Sequence, residues 1–171
     1  MTLLAPILMA ISLMWIPVGL LLLGKGEARG TGALTLMVGT LVIVSSIFMA
    51  TTEGGFFGAA LLFAYGLFYN IVGYALYAGL TDMRSVGNAS FTVGLITIFY
   101  IIICLTGLGD IGKSGYLALG CAGYLVLYIM VWLNAYGKFS AKTLGWSLII
   151  WTFVGLWWPA FWLLGYSEFP F

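Results

Sequence analysis

Histidine is absent from this 171-residue chain and cysteine occurs twice, so no zinc, haem or Cys-His site can be assembled. Without histidine, no side chain has an ordinary pKa near neutrality. Charge is equally scarce. Six Lys and Arg stand against five Asp and Glu, 6% of the chain with a net charge of +1. A soluble domain carries charge on about a quarter of its residues, so an ordinary water-soluble globule is excluded. Six basic residues also build no patch that would neutralise a row of phosphates, which excludes nucleic acid as the main partner. Cys104 and Cys121 both lie inside apolar runs, where each is expected to pack as a small hydrophobe with no structural disulfide. No catalytic triad, carboxylate pair, phosphate loop or metal cluster is present, so neither an enzyme nor a cofactor is expected.

What the chain has in abundance is apolar sequence: 63% of residues are hydrophobic and the mean hydropathy is +1.15. A membrane-spanning helix needs about 20 mostly apolar residues, and the few charges cut the chain into six pieces of that length. Lys25, Glu27 and Arg29 end the first; Glu53 the second; Asp82 and Arg84 the third; Asp110 and Lys113 the fourth; Lys138 and Lys142 the fifth. The expected spans run near 3–24, 32–51, 57–80, 89–107, 115–136 and 144–165. The fold class is therefore an all-α integral membrane protein, a six-helix transmembrane bundle occupying residues 1–171 as one domain in the lipid bilayer. The first span lacks the basic leader and small-residue cleavage site of a signal peptide and is expected to remain. Lys25, Arg29, Arg84, Lys138 and Lys142 all fall in loops one, three and five, against Lys113 alone elsewhere. Basic loops stay on the cytoplasmic side, so both termini are expected outside.

Glycine occurs 24 times, often within spans, where small residues let helices approach closely. Aromatics are placed less conventionally, because several sit at mid-span and not at the membrane surfaces. Phe63, Leu67, Asn70 and Tyr74 share one face of the third span, and Tyr124, Tyr128 and Trp132 one face of the fifth. In the sixth span Trp157, Trp158 and Trp162 read as an interface belt around Pro159, which should kink the helix near its outer end. Trp151 lies deeper, as core packing or as the lining of a pathway.

No span holds a defensible ionisable residue, which counts against proton-coupled carriers and ion channels. The remaining neutral polar groups suit an uncharged solute. Asn70 has two readings, an interhelical hydrogen bond or a contact to a passing solute. Asn134, close to the end of span five, reads as a structural hydrogen bond.

The residues in order resemble the AmiS/UreI family of short-chain amide and urea channels. The resemblance is carried by Leu23, Gly24 and Lys25 at the end of helix one and by the Val38-Gly39 step. Helix three adds Leu61, Leu62, Phe63, Ala64 and Tyr65, followed by Leu67, Phe68 and Tyr69; helix five adds Tyr124, Leu127 and Tyr128; helix six adds Trp158, Pro159 and Ala160. It runs almost end to end. The resemblance implies a passive facilitator of urea or small neutral amides in a bacterial inner membrane, a homo-hexamer with a pore in each protomer, working beside a cytoplasmic amidase or urease. By motif position it implies pore walls from Phe63, Leu67, Tyr124, Leu127 and Tyr128, with Leu4, Leu8, Ile11 and Trp15 from helix one; Asn70 and Trp151 are further candidates from their own place in the spans. Flat apolar walls would pass a planar amide and reject ions.

The chain also departs from the family pattern. Helix one has Pro17 and Val18 where an Asn is frequent, Leu67 stands where Tyr is frequent, and Trp151 stands where an acid-gated member has a membrane Glu. The loop near 52–55 is short, so a constitutive pore insensitive to pH is expected. Two other readings compete: a secondary transporter of a small neutral metabolite, and a non-transporting membrane scaffold. Replacing Phe63 or Tyr124 by Ala should alter selectivity if they wall the pore.

Overall fold

The structure, a computed structural model, describes residues 3–52, 55–108 and 113–169. Glu53 and Asp110, and most of the short loop between the second and third helices, lie outside the described residues. The described chain is helical: α1 (Leu4–Leu22), α2 (Ala28–Thr52), α3 (Phe56–Tyr77), α4 (Arg84–Thr106), α5 (Gly115–Ala135), α6 (Ala141–Trp151), a π-helical turn (Thr152–Trp157) and α7 (Trp158–Tyr166). The last three run on as one span, and six helices are long and apolar enough to cross a membrane.

Three helices start earlier than the sequence reading places them, at Ala28, Arg84 and Ala141. Arg29, Arg84 and Lys142 sit in the first turns and not in loops, because long basic side chains reach water from within a helix end. Glu27 caps α2 by accepting from the backbone N–H groups of Arg29, at 2.9 Å, and Gly30. Ser114 and Ser140 cap α5 and α6, accepting from Leu117 N at 3.2 Å and Thr143 N at 3.4 Å. At their other ends α1, α3, α4 and α5 stop at left-handed glycines, Gly24, Gly79, Gly107 and Gly137, where a side chain would be strained. These stops turn the chain within a few residues.

Packing is strongest between α2 and α3 and between α4 and α5, and α1 packs against α2 and the α6–α7 span. Backbones nearly touch at the glycines. A Cβ on Gly19 would lie 2.8 Å from the Gly145 carbonyl oxygen, and one on Gly145 2.7 Å from that of Gly19. Between α2 and α3, a Cβ on Gly66 would lie 2.9 Å from Gly39 O and one on Gly73 2.6 Å from Leu36 N. In lipid this close approach replaces the hydrophobic drive that water supplies to soluble bundles. The outward faces remain apolar, as at Leu13, Met37, Phe48, Phe99 and Leu105, where lipid is the solvent.

A candidate solute pathway of tyrosines and aliphatics

The inner face of α3 is the row Leu62, Tyr65, Phe68 and Tyr69, with Val72 half-buried beyond it. It meets Tyr124, Leu127 and Tyr128 of α5 and Trp15 of α1. Tyr65 is the hub of this aromatic cluster, its ring 5.4 Å from Tyr124, 5.2 Å from Tyr128 and 6.5 Å from Tyr69. Trp15 meets the Tyr124 ring edge-on at 5.5 Å, and Phe68 meets Tyr128 at 5.3 Å.

Hydrogen bonds from α4 set the cluster. The Thr97 hydroxyl donates to the Val93 carbonyl at 2.8 Å, which uses its one proton, so Tyr65 is the donor in the 3.1 Å contact between the two hydroxyls. Ser90 donates to the Tyr128 carbonyl at 2.8 Å. Both Ser90 and Thr97 are fully buried, which meets the requirement that a polar group inside a membrane bundle find a partner.

Beside the aromatics lies a cavity of about 110 Å³, lined by Trp15, Val18, Leu22, Phe68, Tyr69, Val72, Leu76, Val86, Tyr124, Leu127, Tyr128, Val131, Asn134, Leu148 and neighbours, with no Asp, Glu, Lys or Arg. It runs from Trp15 and Tyr124 toward the ends of the helices joined by loops one, three and five. In the other half of the bundle Leu8, Ile11, Leu62, Leu156 and Ala160 are buried in the hydrophobic core. The hydroxyls of Tyr69 and Tyr128, whose residues are 2% and 4% exposed, lie near each other, with Trp15 beside Tyr69, yet neither makes a well-formed hydrogen bond among the described residues. Both residues belong to the cavity wall, while their hydroxyl oxygens themselves are fully buried. Among the described residues every Lys, Arg, Asp and Glu is exposed at a loop or a helix end.

The sixth span changes its hydrogen-bonding pattern across Thr152–Trp157, directly before Pro159. The sequence reading puts a kink at the proline; the structure shows a π-helical turn just before it, a form frequent at functional sites. Trp151 begins this turn and meets the Tyr124 ring edge-on at 6.4 Å.

Of the residues singled out from the sequence, the structure brings Trp15, Tyr124, Leu127 and Tyr128 together around the cavity. Leu8 and Ile11 are buried on the same side of α1, and Leu4 is half-buried near its start. Phe63 and Leu67 are not in the cluster. They are 40% and 46% exposed on the outer face of α3, so the helix-three wall consists of Phe68, Tyr69 and Val72 instead. Asn70 lies off the cavity too: its side-chain amide donates to Thr40 on α2 at 3.3 Å, and its oxygen rests where a Cβ on Gly39 would stand. Asn134 does line the cavity, while its amide donates to the Phe139 carbonyl at 2.9 Å, tying the turn into α6. Tyr65 and Tyr69, which the sequence reading counts among the neutral polar groups and the helix-three motif but not in the wall, had one signal: they carry hydroxyls at mid-span, which lipid disfavours, whereas Phe63 and Leu67 carry none.

Comparison with known proteins agrees with this architecture. The sequence model of the AmiS/UreI family of transporters matches residues 3–166. Among solved structures the fold is similar to the urea channel of Helicobacter pylori in its closed state, with a TM-score of 0.83 at 22% identity, covering 96% of this chain and 99% of that one. It is also similar to a crystal structure of the Helicobacter pylori urea channel, with a TM-score of 0.77 at 21% identity, covering 94% of this chain and 97% of that one. A sequence search of curated proteins finds no match.

Proposed function

The chain belongs to the AmiS/UreI family of transporters, a multi-pass membrane protein, and on that premise we propose that it is a passive channel for urea or small neutral amides, with one pathway through each protomer. The observation that carries this reading is a cavity free of charged side chains whose wall holds Tyr69 and Tyr128, two buried hydroxyls that make no well-formed hydrogen bond among the described residues. A buried hydroxyl without a partner is costly. A small solute bearing both donors and acceptors offers what the protein withholds, and the aliphatic walls take the rest of its surface. An ion entering the same cavity would lose its hydration with no opposite charge to meet it.

The wall we assign to this pathway is Trp15, Phe68, Tyr69, Tyr124, Leu127 and Tyr128, with Leu8, Ile11 and Trp151 flanking it. Phe63, Leu67 and Asn70 are left to packing and lipid. The family relationship supports further parts of the reading, a homo-hexamer in a bacterial inner membrane and a cytoplasmic amidase or urease that consumes the solute, while the basic residues of loops one, three and five support both termini outside. A chain without histidine favours a pore that is not acid-gated.

The test is reconstitution in liposomes with stopped-flow light scattering under urea, acetamide and glycerol gradients, at neutral and at mildly acidic pH, against empty liposomes. The expected result is fast, non-saturating urea and amide entry, equal at both pH values. Saturable, gradient-coupled uptake, or no flux above the empty vesicles, overturns the reading.

A further inference from the structure

Asn134, in the last turn of α5, lines the cavity at its loop end, among Leu22, Leu76, Val86 and Leu144. The residues that follow it, Tyr136, Gly137 and Lys138, are exposed, so this is the end of the cavity nearest the membrane surface. Deeper in the wall the tyrosine hydroxyls are committed or withdrawn. That of Tyr124 donates to the Gly155 carbonyl at 3.1 Å, and the Tyr69 and Tyr128 oxygens are fully buried. An asparagine amide offers donors on its nitrogen and lone pairs on its oxygen. The Asn134 nitrogen donates to the Phe139 carbonyl at 2.9 Å, and because a carbonyl can only accept, this bond fixes which way the carboxamide faces. The oxygen is left on the other side of the group. No described residue donates to it, and unlike the oxygens of Tyr69, Tyr128 and Asn70 it is not fully buried.

We propose that the Asn134 side-chain oxygen receives a solute's N–H group at the loop end of the cavity, which makes Asn134 a specificity-determining residue for solutes that carry an amide N–H. The inference rests on the channel reading above and deepens it. A solute leaving water for an aliphatic cavity loses its hydrogen bonds, and an acceptor already held in place returns one of them at little cost in ordering. The bond to Phe139 does the holding and the oxygen does the recognising. The carboxamide is neutral, so it offers an ion no opposite charge. Among solutes of one size, those with N–H groups are therefore favoured over those without.

Propionamide, N-methylacetamide and N,N-dimethylformamide separate this from size selection, since they are isomers that share a carbonyl and carry two, one and no N–H groups. Their flux above empty liposomes is measured for the unmodified protein and for Asn134→Leu, which keeps the approximate volume and removes the acceptor, each checked for monodispersity by size exclusion. The ratio of propionamide to N,N-dimethylformamide flux should fall about fivefold in Asn134→Leu, the worth of one hydrogen bond, with N-methylacetamide between. Loss of the Phe139 bond alone slows all three solutes alike, so an unchanged ratio overturns the acceptor role while leaving the channel intact. A second measurement needs neither the variant nor passage of these isomers. The chain has asparagine only at 70, 88 and 134, so labelling asparagine at the side-chain carbonyl carbon gives a signal for each in NMR of the unmodified protein. Propionamide should move the Asn134 signal more than N,N-dimethylformamide does at the same concentration, and by a wider margin than at exposed Asn88; equal shifts from the two solutes overturn the proposal. Absence of urea flux in the unmodified protein overturns the channel reading and the proposal with it.

Discussion

The Tyr124 hydroxyl on α5 donates to the Gly155 carbonyl at 3.1 Å, four residues before Pro159. In an α-helix that carbonyl would accept from the backbone N–H of residue 159, which proline lacks. A side chain from a neighbouring helix thus supplies a donor to a carbonyl that proline leaves without its α-helical partner, and the same bond holds the Tyr124 ring in the cavity wall. One contact serves both the π-helical turn and the cavity wall.

Tyr124→Phe should accordingly lower the stability of the purified protein by about 1 to 3 kcal/mol, the cost of leaving a buried carbonyl unpaired. Denaturant or thermal unfolding measures it. In a Pro159→Ala background, where residue 159 regains its N–H, the same substitution should cost less than half as much.

Tyr69→Phe and Tyr128→Phe remove the two buried hydroxyls without changing the shape of the wall. Each should stabilise the fold slightly, since a buried polar atom disappears, and each should slow urea entry about fivefold in the liposome assay. Stability and flux moving in opposite directions would identify these hydroxyls as functional and not structural.

Phe63→Ala and Leu67→Ala should leave the ratio of acetamide to glycerol flux unchanged, because both side chains stand on the outer face of α3. Phe68→Ala should shift that ratio severalfold. The sequence motif alone leads to the opposite expectation for Phe63, so this comparison decides between motif position and geometry.

Solute flux should be flat between about pH 5 and about pH 7.5. Hydrogen bonds from the Arg84 guanidinium, 2.6 Å away at the closest, and from its backbone N–H hold the Asp82 carboxyl down at about 2. A depressed carboxyl contributes stability above its ordinary range near 4 and loses it as pH falls toward 2, so this pair passes through no transition in the assay window. Light scattering at several pH values checks it; a severalfold rise in mild acid would require a titrating group in the pathway.

Six apolar spans were legible in the sequence because burial in lipid imposes a length, and Lys25, Asp82 and Lys138 mark where each length ends. The absence of histidine, the scarcity of charge and the order of the aromatic motifs already pointed to a neutral solute and to the family. Which face of each span looks inward was not legible. In a soluble protein, water marks the outer face of a helix with polar residues, but in a bilayer both faces are apolar and periodicity loses its sign. That is why Phe63 and Leu67 were as plausible as Phe68 and Tyr69 until α2 and α5 were in place. Asn70 carries two readings in the sequence; in the fold its side chain lies against Gly39 and donates to Thr40. The pairing of Tyr124 with Gly155 belongs to tertiary structure alone, since it joins residues 31 apart through a helix whose break is set by local chemistry but whose missing donor comes from another span.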